Sequence, residues 1–146
     1  MTAARLAARC AELLGPLPGP IAVLAPRAPS LRAALAVRLP LAAADAAPAG
    51  AVVAFLGVAA RPDERQRSLR DLQRRLPAGA PMVLVDHSQP RARWRRPFAA
   101  IVLAFAGLTP ARARYPAARE LAALGFHVER LRLGRGERVQ LVVARR

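Results

Sequence analysis

The sequence predicts an α/β domain built on a largely parallel sheet. Short apolar runs bounded by proline or glycine recur along the chain, which suits strands buried on both faces. A strand, a well-marked helix and another strand follow one another within about 35 residues in the middle, the length of a βαβ unit. Two further apolar segments near the C-terminal end are joined by a short glycine-bearing stretch, which makes them an antiparallel hairpin.

Taken in order, the first element is a helix at the N-terminus. Leu6, Cys10, Leu13 and Leu14 recur there at helical spacing without a continuous apolar run or a small-residue cleavage site, so it reads as a docking helix rather than a signal. Ile21-Ala-Val-Leu-Ala25, between Pro20 and Pro26, is the first strand. Leu31 to Val37 is a brief helix that Ser30 can cap, and Val37 to Leu41 is a second strand interrupted by Pro40. Ala42 to Gly50 is a connection. Val52-Val-Ala-Phe-Leu56 is the next strand, with Gly57 as the turn that ends it.

The helix that follows is the best marked in the chain. Pro62 occupies its first position, Asp63 and Glu64 its first turn, and Leu69, Leu72 and Leu76 one face, while Arg65, Arg67, Arg70, Arg74 and Arg75 cover the rest. Pro77-Ala-Gly-Ala-Pro81 breaks it, and Met82-Val-Leu-Val85 is a strand that runs into Asp86-His87-Ser88. The crossover between the two flanking strands is expected to be right-handed. Pro90 to Pro97, with Trp94 among Arg91, Arg93, Arg95 and Arg96, is an exposed loop. Helices follow at about Phe98 to Gly107 and Pro110 to Leu124, the second closed by Gly125. Phe126 to Leu133 and Arg138 to Ala144 form the hairpin across Gly134-Arg-Gly-Glu137.

Composition bounds the function classes. A chain of 146 residues has the length of one domain, and at this size roughly 70% of the unfolded chain's surface can be buried. With 54% hydrophobic but only 4% aromatic residues, its core is expected to consist of leucine and small side chains. The net charge is +15 and every basic residue is arginine; lysine and asparagine are absent. A GC-rich coding sequence accounts for arginine in place of lysine, but not for the surplus of bases over acids. That surplus favours phosphate, nucleic acid or an acidic protein as partner. The single cysteine, Cys10, excludes an internal disulfide and a thiolate zinc cluster, and a reducing cytoplasm is the natural expectation. Phe98 to Leu108 is too short to cross a bilayer, which needs about 20 residues, so no membrane association is expected.

From residue 51 onward the order and spacing of these pieces resemble the second half of a class I S-adenosylmethionine-dependent methyltransferase. Arg75-Leu-Pro-Ala-Gly-Ala-Pro81 followed by Met82-Val-Leu-Val-Asp86 is similar to the family's proline-glycine turn and fifth strand. Glu120-Leu-Ala-Ala-Leu-Gly-Phe126 with Val128-Glu-Arg130 resembles the helix that ends in Ala-Gly-Phe before the sixth strand, and the hairpin lies where the family places its antiparallel seventh strand. The resemblance implies a Rossmann-like methyltransferase sandwich with a mostly parallel sheet and an antiparallel C-terminal hairpin. It also implies S-adenosylmethionine as cofactor and a methyl acceptor whose identity the sequence does not name.

The first third departs from that pattern. Where the family has a glycine-rich loop after its first strand, this chain has Leu24-Ala-Pro-Arg-Ala-Pro29, without glycine and with two prolines that donate no amide hydrogen. No acidic residue lies between Glu12 and Asp45 to accept from ribose hydroxyls, and the chain between Ala25 and Ala51 is too short for two strands and two helices, so a strand-helix unit is expected to be missing.

The resemblance places Ala25, Pro26, Asp45, Leu56 and Gly57 along the cofactor, with Asp45 in the position that reads the adenine amino group. Asp86 and His87, at the mouth of a parallel strand, are the candidates for a base facing an acceptor. The loop around Trp94 combines cations with an aromatic and could grip a phosphate backbone. His127 has no evident partner and reads as structural. Two kinds of function follow. One is methyl transfer to oxygen, nitrogen or carbon. The other is a non-catalytic descendant that serves as a partner subunit or a basic nucleic-acid-binding module, and the sheet edge left by the missing unit could further be covered by a second copy or another chain.

Overall fold

The computed structural model of the protein describes residues 2–43, 46–59, 61–88, 97, 100–101, 104, 117–134 and 139–146. The N-terminal helix α1 (Ala3–Leu14) starts at Thr2, whose hydroxyl accepts the Arg5 amide hydrogen, and buries Leu6, Ala7, Cys10 and Leu14 along one stripe. Burial raises the Cys10 thiol to about 12, which keeps it protonated and inert. Strand β1 (Ile21–Leu24) and helix α2 (Pro29–Ala36) follow. Ser30 does not cap α2. Proline's fixed φ and missing amide hydrogen suit the first helical position, so the helix begins at Pro29 with Ala28 as its cap and takes Ser30 into its first turn.

The strand expected at Val37 to Leu41 shrinks to one bridge. Ile21 donates to the Pro40 carbonyl at 2.9 Å and accepts from the Ala42 amide at 2.8 Å, after which the chain leaves the edge. Pro40 itself has no amide hydrogen with which to continue a ladder. Strand β2 (Gly50–Ala54) starts and stops two residues earlier than its apolar run suggests, because Phe55 turns into the left-handed region at φ 54°. Gly57, expected as the turn, instead lies inside the short helix α3 (Leu56–Ala59).

Helix α4 (Pro62–Arg75) matches its signals, with Pro62 in the first turn and the Glu64 side chain accepting from the Arg61 amide. Strand β3 (Pro81–His87) carries Asp86 and His87 within its last turn of pleat. Of the helix expected at Phe98 to Gly107, Ala100, Ile101 and Ala104 are described, and each is helical. Of the helix expected at Pro110 to Leu124, the described part is α5 (Ala117–Ala123). Gly125, at φ 86°, ends it as expected: its amide bonds to Ala122 and that of Phe126 reaches back to Leu121, a Schellman closure that sets Phe126 over buried Leu121. Strands β4 (His127–Leu133) and β5 (Val139–Arg145) are the hairpin.

All five strands form one sheet in the order β1-β2-β3-β5-β4. The first three are parallel, and β5 runs antiparallel to both β3 and β4. Side chains alternate across this sheet to make two cores. Val52, Ala54, Val83, Val85, Leu141 and Val143 face α1 and α2, whereas Ala51, Val53, Met82, Leu84, Val142 and Ala144 face α4 and α5. The result is a three-layer α/β/α sandwich whose strands are hydrophobic on both faces because both are covered. Arg130 and Arg132 stand exposed on the outer strand β4, where charge discourages pairing with another sheet. Among the described residues no helix is long and apolar enough to cross a membrane.

Candidate functional site

In an open parallel sheet, ligands collect beyond the C-terminal ends of the strands. Here those ends are Leu24-Ala25, Ala54-Phe55 and Asp86-His87, which the parallel register sets side by side. Adjacent exits are built in two ways. After β1 the chain folds back at once: the Ala28 amide bonds to the Ala25 carbonyl at 3.2 Å, Pro26 and Arg27 form the exposed tip, and Ala25 and Ala28 are buried in the α1–α2 core at 8% and 9% exposure. Pro26 lacks an amide hydrogen and that of Ala28 is used within the turn, so of residues 26 to 28 only Arg27 offers an amide to a ligand.

After β2 the chain makes a strained elbow. Phe55 holds a positive φ, donates its amide to the Val85 carbonyl at 2.8 Å and lays its ring against His87, centroids 4.7 Å apart and tilted by 37°. The Gly57 amide donates to Oδ2 of Asp86 at 3.1 Å, while Oδ1 accepts from the His87 amide at 2.7 Å. A Cβ on Gly57 would stand 2.7 Å from that Oδ2, so glycine is what lets the elbow close on the carboxylate.

Asp86 is 2% exposed, and desolvation raises its pKa to about 6 despite the two amide hydrogen bonds and the Arg65 charge that oppose the rise. Glu120, which pushes it further upward, pairs with Arg65 at 3.0 Å and ties α5 to α4. Burial lowers the pKa of His87, so its imidazole is neutral near pH 7. Gln140 on β5 donates to the His87 carbonyl at 3.1 Å.

Gly57, Asp86 and His87 are thus brought together, and Ala25 and Pro26 lie at the end of the neighbouring strand. Leu56 is 3% exposed and its side chain packs in the α4–α5 core, leaving only its backbone for a ligand. Asp45 and the segment around Trp94 lie outside the described residues. His127 is exposed at the start of β4 opposite Arg145. Phe55, Arg65, Glu120 and Gln140 belong to the same end of the sheet and carry no motif that marks them in the sequence. A separate cavity of about 640 Å³, lined by Glu12, Leu17, Pro18, Pro77, Gly79 and Arg145, opens at the opposite ends of the strands, away from these groups.

Compared by sequence, the chain matches no protein-family model and no curated protein. Compared by structure, it is similar to the glycopeptide N-methyltransferase MtfA complexed with sinefungin, with a TM-score of 0.64 at 15% identity, covering 99% of this chain and 94% of that one. The fold is that of the S-adenosylmethionine-dependent methyltransferases. The mitomycin 7-O-methyltransferase MmcR aligns at a TM-score of 0.64 and 18% identity over 99% of this chain, and PigF with SAH at 0.56 and 17% over 88%. The chain spans 52% of MmcR and 48% of PigF, about half of either. For a methyltransferase fold the turn after β1 is where the methionine and ribose end of the cofactor is expected, and there the donor set does not fit a firm grip. The two alanine side chains face the core, and of residues 26 to 28 only Arg27 keeps a free amide.

Proposed function

We propose that this chain is a methyltransferase-like protein that keeps the sandwich, holds S-adenosyl ligands feebly, and does not transfer methyl groups at a useful rate. The self-closed turn from Ala25 to Ala28 carries this reading, because of the amides at residues 26 to 28 it leaves only that of Arg27 for a polar ligand. Sinefungin and SAH in the neighbouring structures are what make an S-adenosyl compound the ligand to test. Ala25, Pro26, the Leu56 backbone and Gly57 are the residues that would lie along it, with Asp45 for its adenine.

Nor do the acid-base candidates favour catalysis. Both oxygens of Asp86 are engaged by amides and the group is sealed from solvent, so it serves as an anchor between β2 and β3. His87 is the base that remains, half-buried, neutral and stacked on Phe55.

Thermal melting with SAH and sinefungin tests the reading. At about 5 mM ligand, a site with Kd near 10 µM would stabilise the protein by about 3.7 kcal/mol, and one with Kd near 5 mM by about 0.4. A shift of the smaller kind is expected. A shift of the larger kind would contradict the proposal and return the chain to the active enzymes of this fold.

A further inference from the structure

We propose that the face formed by α1 and α2 docks the phosphate backbone of single-stranded nucleic acid, with Arg27, Arg32 and Arg38 as its principal contacts. This does not depend on any S-adenosyl ligand. The two sides of the sandwich carry charge differently. Along α4 acids are interleaved with the arginines: Arg74 pairs with Asp71, Arg65 with Glu120, and Asp63 and Glu64 occupy the first turn. From residue 13 to residue 44, by contrast, the sequence holds no acid at all, while Arg27, Arg32 and Arg38 stand exposed with no ion-pair partner among the described residues. Helix α1 packs on α2 and adds Arg5 and Arg9, with Glu12 the lone acid there.

Codon usage explains arginine in place of lysine but not an acid-free stretch from residue 13 to residue 44, since the same chain places three acids on α4. Like charges set together without counterions repel one another, a standing cost that a polyanion relieves by releasing its own condensed counterions. Val37 adds a second observation: it is 87% exposed, between Arg32 and Arg38, and it caps a flank of small residues, Ala33 and Ala36, that lets a sugar or base approach closely. A large apolar side chain amid arginines fits an unpaired nucleotide, which offers both an anionic backbone and an uncharged sugar and base, better than a carboxylate-rich peptide. With aromatics scarce, binding is expected to follow phosphate rather than sequence.

Fluorescence anisotropy with a labelled mixed-sequence single-stranded oligonucleotide, read over a series of salt concentrations, tests the proposal on the intact chain. R27Q/R32Q/R38Q should weaken binding at least tenfold and flatten the slope of log K against log salt by about 2, as three contacts at about 0.7 each require. Changing Arg67, Arg70 and Arg74 on α4 to glutamine removes the same charge and should cost under threefold. Equal losses from the two sets, or no binding even at low salt, would overturn the proposal. So would polyglutamate of equal charge competing as well as unlabelled oligonucleotide. Melting curves of both variants confirm that each is folded, and SAH titration of R32Q/R38Q, which leaves the turn after β1 untouched, should match the parent, which separates this surface from the ligand site.

Discussion

The exits from β1 and β2 lie next to each other in one sheet and solve the same problem in opposite ways. The β1 exit satisfies itself locally: a proline turn closes within four residues and hides both alanines in the core. The β2 exit depends on distant partners, spending backbone strain at Phe55 and borrowing a carboxylate 29 residues away to hold Gly57. A self-closed turn is stable without a ligand and has little to offer one. An elbow tied to Asp86 is sensitive to every group that touches that carboxylate.

The largest effect on these two exits comes from Gly57→Ala. The added methyl would meet Oδ2 of Asp86 at 2.7 Å, so the elbow must shift and leave the buried carboxylate short of a donor. A loss of about 2–4 kcal/mol in urea unfolding is expected, with Asp86→Ala in the same chain recovering part of it because the two changes share one contact. Pro26→Ala, at an exposed turn tip, should cost under about 1 kcal/mol by the same measurement. A larger loss at Pro26 than at Gly57 would reverse the contrast.

Next in size is the pH response of Asp86. Its pKa in the folded protein, about 6, lies above the ordinary carboxylate value of 3.8, so the folded state binds the proton more tightly than the unfolded chain. The resulting stability is fully present below about pH 4 and is lost as pH rises to about 6, on the order of 3 kcal/mol. Asp86→Asn should remove that part of the pH dependence, which unfolding curves at about pH 4, 5, 6 and 7 would read. A parent and variant with parallel pH profiles would mean that Asp86 is not buried as a charge. Smaller again is Phe55→Gly, where relief of the positive φ only partly offsets the lost contacts with His87 and with the α1–α2 core, leaving a net loss of about 1–2 kcal/mol.

The same contrast explains what the sequence disclosed. Elements with local chemical marks were legible: Pro62 with Asp63 and Glu64 opening α4, Gly125 closing α5, and the short joint that makes β4 and β5 a hairpin. The departure of the β1 turn from its family pattern was equally local, two prolines and no glycine in six residues. What stayed hidden needs partners far along the chain. Nothing near Phe55 announces its φ, Gly57 reads as a turn until Asp86 is set beside it, and Arg65 finds Glu120 across 55 residues. Local pattern also overstated Val37 to Leu41, where apolar character promised a strand that Pro40 limits to one bridge.

Calorimetric titration of SAH into the parent chain and into A25G/P26G/A28G, side by side, reaches the closed turn most directly. Reopening the backbone should strengthen binding from the millimolar range by about tenfold or more, the equivalent of roughly one regained hydrogen bond to a charged group. Micromolar binding by the parent, with no gain from the glycines, would mean that the turn never withheld the site.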